Sequence, residues 1–455
     1  MQSSNTLTEG PIAKKLILFA IPMFLGNLFQ QLYNTADSLI VGNFLGSASL
    51  AAVTSTGSLI FLIVGFFNGT AMGAGVVISR FFGAKDYDKV RKAIHTDLAF
   101  GLVCGGIMTI VGVVFAPQIL ALMGTPDEVF AQAVWYIRIY FLGSISFVLY
   151  NVCMGILQAV GDSRHPLYYL IISSIVNIVL DILFNGVLRL GVAYAALATI
   201  LSQTLSVVLC MRRLMITQDI YQVHVQEIRF DPQIIKQIIQ IGLPSGLQNS
   251  IISIANVVVQ SNINAFGSDA MAGCGSYSKI EGFGFLPITC FAMALTTFIG
   301  QNLGARQYAR AKKGALFGVL CSITVAELIG ILIYFFIPQL VVLFNSEPQV
   351  VAYGVLQAKT VGRFYFLLAF SHCAAGILRG AGKSTIPMFV MLGCWCIIRI
   401  SYITIITHFI PKIVVIFWAY PLTWTLSSII FLAFLLKGDW LYAYEKKEKV
   451  QITGE

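Results

Sequence analysis

The chain has 455 residues, 57% of them hydrophobic and only 11% charged, with a formal net charge of +9. Its mean hydropathy is +0.83. That balance excludes an ordinary soluble globule and leaves a protein that spends most of its residues in a bilayer. The positive excess is not a nucleic-acid surface, because it gathers in loops on one side of the predicted spans.

Twelve apolar spans are predicted, near 16–41, 50–78, 94–116, 133–158, 166–188, 191–211, 234–265, 269–300, 314–337, 352–378, 386–409 and 412–436. Each is long enough to cross a bilayer as a helix. Short loops join them, so an all-α polytopic membrane protein with no sizeable soluble domain is expected. With the N-terminus inside, Lys and Arg crowd the cytoplasmic loops and tails, and the opposite face keeps only Arg189 and Lys412. The positive-inside rule then predicts a multi-pass protein of the plasma (inner) membrane with both termini cytoplasmic. The first fourteen residues are polar and include Glu9, and the run that follows is too long for a signal-peptide core. No cleavage is expected.

The first span carries NLFQQLYNTAD (27–37), in which Asn27, Gln30, Gln31, Asn34 and Asp37 recur at spacings of three and four. Such spacing stacks them on one helix face. The plain reading is a satisfied polar face between packed helices. A carboxylate at membrane depth costs at least ~2.5 kcal/mol, which favours a working role for Asp37. The nine cysteines lie almost all within apolar spans. Cys394 and Cys396 flank Trp395, so they cannot face one metal from one helix face, and small buried thiols are expected. The five histidines are scattered, without metal-ligand spacing.

An internal repeat organises the chain. NFLGSASLAA (43–52) aligns with NAFGSDAMAG (264–273) at an offset of 221. The same register pairs FFGAKDYDKVRKA (81–93) with NLGARQYARAKKG (302–314), FAPQILALM (115–123) with FIPQLVVLF (336–344), and GILQAVGDSRHP (155–166) with GILRGAGKSTIP (376–387). A one-residue shift carries it back to Pro22 with Pro244, Asn27 with Asn249 and Asn34 with Asn256. One register across four segments marks a duplicated architecture. Six spans per half predict parallel repeats, hence two pseudo-symmetric six-helix lobes. The expected organisation is an N-terminal lobe over 1–212, a cytoplasmic linker over 213–236 and a C-terminal lobe with its tail over 237–455. The repeat also dismisses a false phosphate loop. In GILRGAGKS, Gly376 is one residue too far from Gly382, and the twin segment reads AVGDS, so both are read as turns.

EGPIAKKLILFAIPMFLGNLFQQLYNTADSLIVGNFLG, then AAV and the basic FFGAKDYDKVRKA loop, resembles the multidrug and toxic compound extrusion (MATE) family over almost the whole chain. The resemblance implies twelve helices in two lobes and export of drugs in exchange for protons or sodium. It assigns the family's first-span acid to Asp37, its fifth-span Asn-x-x-x-Asp to Asn177 and Asp181, and its sixth-span Thr to Thr199. Branches with acids in the seventh or tenth span find no match here.

Helix arithmetic supports the same cluster. Asp37, Asp181 and Thr199 each lie eight or nine residues from the outer ends of their spans, about 12–14 Å deep. Asn34 and Asn177 lie about one turn deeper. Two carboxylates close together in low dielectric cannot both hold a charge, which suits proton exchange. The oxygens of Asp37, Asn177, Asp181 and Thr199 suit a sodium ion equally. The repeat partners of Asp37, Asn177 and Asp181 are Val259, Ile398 and Tyr402, so coupling is expected in the first lobe alone.

The second lobe has its own charges at membrane depth, Lys279, Glu281, Glu327 and Arg399. An ion pair between Glu281 and Arg399 is the plain expectation, and contact with substrate or gating is the functional one. Gln30, Gln31 and Tyr33 share that substrate or gating role. Arg138, Lys359 and Arg363 lie towards the outer ends of their spans, where long side chains snorkel. The reading is a monomeric ion-coupled antiporter exporting lipophilic cationic small molecules by alternating access, without cofactor or nucleic-acid partner. The alternative is a flippase of related fold for lipid-linked precursors. No nucleophile–base or metal constellation of an enzyme is visible.

Overall fold

The computed structural model describes residues 6–45, 47–122 and 127–445, without the side chains of 38, 39, 41–43, 45, 47–64, 122 and 127–129. Among these residues every regular element is a helix. The first half holds α1 (Ile12–Leu45), α2 (Ser47–Gly83), α3 (Tyr87–Val114), α4 (Ala116–Leu122), α5 (Asp127–Leu142), α6 (Ser144–Ala159), α7 (Arg164–Asp181), which runs into a π-helical turn (Ile182–Val187), and α8 (Val192–Ile216). The second half holds α9 (Pro232–Asn264), α10 (Ser268–Gly304), α11 (Tyr308–Val342), α12 (Pro348–Val361), a 3-10 turn (Gly362–Phe364), α13 (Tyr365–Gly380), α14 (Thr385–Met391), a second π turn (Leu392–Ile398), α15 (Arg399–Phe409) and α16 (Ile413–Leu436).

Nine helical stretches among the described residues are long and apolar enough to cross a membrane, or ten if the pair α5–α6, bent by 45°, counts as one span. The expected span near 50–78 lies largely outside the described side chains. The one near 234–265 forms α9 but is not among the nine, since the amides of Gln240, Gln248, Asn249 and Gln260 lower its hydropathy.

The repeat is visible in the backbone. Lys85 and Arg306, one register apart, both adopt positive φ, 57° and 55°, in the turns that open α3 and α11. Asp86 N donates to Phe81 O at 3.1 Å and its counterpart Gln307 N to Asn302 O at 2.8 Å. Likewise Gly161 and Gly382 sit at φ 92° and 72°. Asp162 N donates to Leu157 O and Lys383 N to Leu378 O, closing the same turn in each half. The Gly-Lys-Ser segment is thus a helix-ending turn, with Lys383 Nζ on Asp439 O at 3.1 Å. Such closing bonds satisfy the last carbonyls of a helix, and a left-handed residue is what permits them.

The chain divides into two packed units, one of Ile21–Gly242 and one of Leu7–Ala20 with Leu243–Glu455. Both borders fall inside a helix just before a proline, Pro22 in α1 and Pro244 in α9. Proline lacks the N–H of the helical ladder and crowds the preceding turn, which interrupts the ladder there. These packing borders differ from the sequence seam at 213–236. The segment leading into α1 is held by the second unit: Leu7 N donates to Gln301 Oε1 at 2.9 Å, and Arg310 donates to the carbonyls of Leu7, Glu9 and Gly10. The linker is held by the first. His224 N donates to His95 Nε2 at 3.0 Å, Asp231 N donates to Thr96 Oγ1 at 3.1 Å, and Arg91 pairs with Glu227. The Arg91 guanidinium holds the Glu227 carboxyl below its ordinary range.

Close packing inside the first unit depends on glycine. A Cβ on Gly73 of α2 would lie 2.4 Å from Gly242 Cα and 2.9 Å from Ile238 O, both backbone atoms of α9 that cannot step aside. Small residues let helix backbones approach in this way. Gly73→Val is expected to cost about 1–3 kcal/mol of overpacking. Gly75→Ala, whose Cβ would meet only Gly155 O at 3.8 Å, is expected to be tolerated. Thermal unfolding of the two purified variants in detergent checks the contrast; equal midpoints would contradict it.

Candidate functional site

The polar stripe of α1 and the end of α7 meet inside the first unit. The Asp37 carboxyl, half-buried, lies within hydrogen-bonding reach of Asp181, which is fully buried. Asn185, four residues on from Asp181 and within the π turn, returns over the acid, and its Nδ2 donates to Asp181 Oδ1 at 3.2 Å. One turn earlier on α7, Asn177 is buried with neither end of its amide partnered. Oxygens Asp37 Oδ1, Asp181 Oδ2 and Asn185 Oδ1 also lack partners. Buried polar atoms are almost always hydrogen-bonded, so this many orphans in one place mark a site that a proton, water or hard cation completes.

Phenols and an amide wall the site. Tyr33 is buried, its hydroxyl accepts from Gln203 Nε2 at 3.4 Å, and Gln30 lies within hydrogen-bonding reach of it. Tyr136 and Tyr140 stack at 6.2 Å, and Tyr136 is close enough to feel any charge on Asp37 and Asp181. Of the residues expected from sequence, Asp37, Asp181, Tyr33 and Gln30 are brought together, and Asn177 lies on the same face of α7. Thr199 is half-buried and spends its hydroxyl proton within α8, on Ala195 O at 3.1 Å. Asn34 is exposed and Gln31 half-buried. Asn185, Tyr136, Tyr140 and Gln203 were not anticipated. Asn185 had a signal, since Asn177, Asp181 and Asn185 recur at intervals of four. The tyrosines had none.

The second unit lacks the acid pair; Val259, at the place of Asp37, is buried and apolar. Its buried charges are arranged otherwise than expected. No ion pair joins Glu281 to Arg399 among the described residues. Glu281 Oε1 instead accepts from the hydroxyls of Tyr277 and Tyr365 at 3.2 and 3.3 Å, and the two hydroxyls lie 2.8 Å apart. Arg399 is fully buried, donates to Thr423 Oγ1 from Nε and Nη2 at 3.3 and 3.0 Å, and lies over the rings of Tyr420 and Trp395 at 4.5 and 5.4 Å. Phenols thus satisfy the acid, and a hydroxyl with two aromatic faces satisfies the base. Arg138 is half-buried and its Nε donates to Val113 O, at the end of α3, at 3.2 Å. All nine cysteines are unbridged, seven of them buried. Among the described residues no group of three or more His, Cys, Asp or Glu is set to hold a metal.

Apolar helices of this length, enclosing a buried carboxyl pair with amides and phenols around it, define an integral membrane protein with a polar site at membrane depth. The duplication and the site agree with one family. The chain belongs to the MATE family, whose MatE model matches residues 22–183 and again 244–405, once per repeat. It is 25% identical over 445 residues to a probable multidrug resistance protein of Bacillus subtilis, YoeA, covering 96% of this chain and 95% of that one. It is 26% identical to the probable multidrug resistance protein NorM of Thermotoga maritima, over 97% and 96% of the two chains. Among solved structures, it matches the outward-facing conformation of a multidrug resistance MATE family transporter with a TM-score of 0.90 and 26% identity, over 98% and 99% of the two chains. The flippase reading draws no support from these relatives.

Proposed function

We propose that this chain is an ion-coupled multidrug exporter of the plasma membrane, with twelve transmembrane helices in two six-helix lobes and both termini cytoplasmic. The observation that carries the reading is the contact between Asp37 and Asp181. Two carboxyls within hydrogen-bonding reach stay together only with a proton between them, because two charged ones repel. A site that can take one proton, or replace it with a sodium ion on the oxygens of Asp37, Asn177, Asp181 and Asn185, couples its own geometry to ion occupancy. Thr199 would add a lone pair, its proton being committed within the helix.

Alternating access follows from competition. Facing outward, where the driving ion is abundant, the site loads the ion and sheds a lipophilic cation. Facing inward, it releases the ion and admits the next cation, so the two ligands exclude one another through one conformational equilibrium. The multidrug names of the relatives support the cargo, small lipophilic cations. Glu281, with its phenol clamp, and Arg399 are the second lobe's contacts for substrate or gating, and Gln30, Gln31 and Tyr33 those of the first. A monomer suffices, since both halves are in one chain. Proteoliposomes with an imposed proton or sodium gradient test the reading. Ethidium export driven by one of the two gradients is expected, and export indifferent to both would overturn it.

Orientation has its own test. A cysteine beside Arg189 is expected to be labelled by a membrane-impermeant maleimide from outside intact cells, and one in the 83–92 loop is not. The reverse pattern would invert the topology.

A further inference from the structure

A further membrane-depth carboxylate, distinct from Asp37, Asp181 and Glu281, lies on the outer surface of the second unit. Glu327 of α11 lines a cavity of about 200 Å³ together with Gly330, Ile331, Tyr334, Phe335 and Arg363. The cavity exists because α12 and α13 break at the 3-10 turn Gly362–Phe364, and α11 crosses the break closely. A Cβ on Gly330 would meet Gly362 O at 2.6 Å. Along α11 the neighbouring Leu328, Leu332, Phe335 and Phe336 are exposed. On a helix that spans the bilayer, such a face meets lipid. Glu327 lies near the middle of the span Tyr308–Val342, and Arg363 near the middle of Pro348–Gly380 rather than towards its outer end as expected from sequence, because the helical stretch begins four residues earlier than the apolar run.

A structural role for this carboxylate would pair it with Arg363, which lines the same cavity. That pairing is not made. Arg363 donates from Nη2 to Tyr334 Oη at 3.0 Å and stacks over the Tyr334 ring at 5.0 Å, and Lys359 Nζ lies over that ring at 5.4 Å. Glu327 leans towards the backbone N–H of Phe366, at the start of α13. Its Oε2 is shut off from solvent and completes no hydrogen bond. Among the described residues no cation pairs with it. A carboxylate at this depth costs at least ~2.5 kcal/mol, and a counter-ion offsets that cost.

We infer that Glu327 and the cavity between α11 and the α12–α13 break form a lipid-facing binding site for lipophilic monovalent cations. The carboxylate supplies the counter-charge, Ile331 and Phe335 supply apolar and aromatic walls, and the opening towards lipid admits a ligand that is already dissolved in the bilayer. Tyr334 is held in place by its two cations and closes one end. Such a site concentrates on the exporter the class of molecule it is proposed to export. To that extent it deepens the proposed function, although binding here needs no ion gradient.

Equilibrium binding of tetraphenylphosphonium to the full-length protein in nanodiscs, without any gradient, is the test. Glu327→Gln is expected to weaken one class of sites by about tenfold. Ile331→Trp, at an exposed position, is expected to do the same by filling the cavity, and it keeps the test available should the first variant not assemble. Asp37→Asn is expected to leave this class unchanged. Unaltered binding in both cavity variants would overturn the inference. Equal competition by neutral tetraphenylmethane would reduce the cavity to an apolar niche. Displacement of the cation as the phosphatidylethanolamine fraction rises would assign the cavity to a lipid headgroup. Failure of gradient-driven export would refute the proposed function while leaving this binding intact, so the two readings fail separately.

Discussion

Asp37→Asn is expected to leave a stably inserted protein that binds lipophilic cations but does not export them against a gradient. Asparagine keeps the size and hydrogen-bonding reach of aspartate, so the contact with Asp181 survives as an amide–carboxylate bond. What is lost is exchange: an amide cannot give up or take a proton, and a cation site loses one of its two formal charges. Because coupling free energies between ion and substrate correspond to roughly 5–150-fold in affinity, gradient-driven efflux should fall by about tenfold or more. Ethidium efflux from everted vesicles at matched expression measures it. An unmutated rate would return the α1 stripe to a packing role.

Asp181→Asn against Tyr402→Phe is the second large contrast. The two positions are repeat partners. Asp181 is fully buried, faces Asp37 and accepts from Asn185 at 3.2 Å. Replacing it removes the second charge of the pair and should abolish coupled export about as completely as Asp37→Asn. Tyr402 is half-buried, and Val259 and Ile398, the counterparts of Asp37 and Asn177, are apolar. Losing its hydroxyl should change export little beyond a packing effect. Equal losses at both positions would mean that the second half also couples ions.

Asp37 and Asp181 could be brought to one level from the sequence because both lie on regular helix, where 1.5 Å per residue and 100° per residue hold. That arithmetic stops at a π turn, which adds a residue to a helical turn and rotates everything after it. In the first half the π turn begins just after Asp181, so the acid lies before the break, and Asn185, four residues on, still returns over it. In the second half the π turn Leu392–Ile398 ends just before Arg399, at a place not equivalent to the first. Arg399 donates to Thr423 and lies over Tyr420 and Trp395, with Glu281 near enough to feel its charge but not paired with it.

The membrane class, the two-fold repeat with its matching turns at Gly161 and Gly382, and the common depth of Asp37 and Asp181 were legible in composition, register and regular helix period, while the choice of Asp181 came from the family resemblance. Which groups surround those acids depends on packing between helices that are distant in the chain. Tyr136, Tyr140 and Gln203 come from α5 and α8, and nothing in their local sequence separates a phenol or amide beside a carboxyl pair from one packed elsewhere. That packing also sets the segment leading into α1 with the second unit and the linker with the first. Pro22 and Pro244 interrupt the hydrogen-bond ladder of each helix, but an interruption says nothing of which neighbour the preceding turns will find; that choice is made by buried hydrogen bonds between residues hundreds of positions apart, such as Leu7 with Gln301.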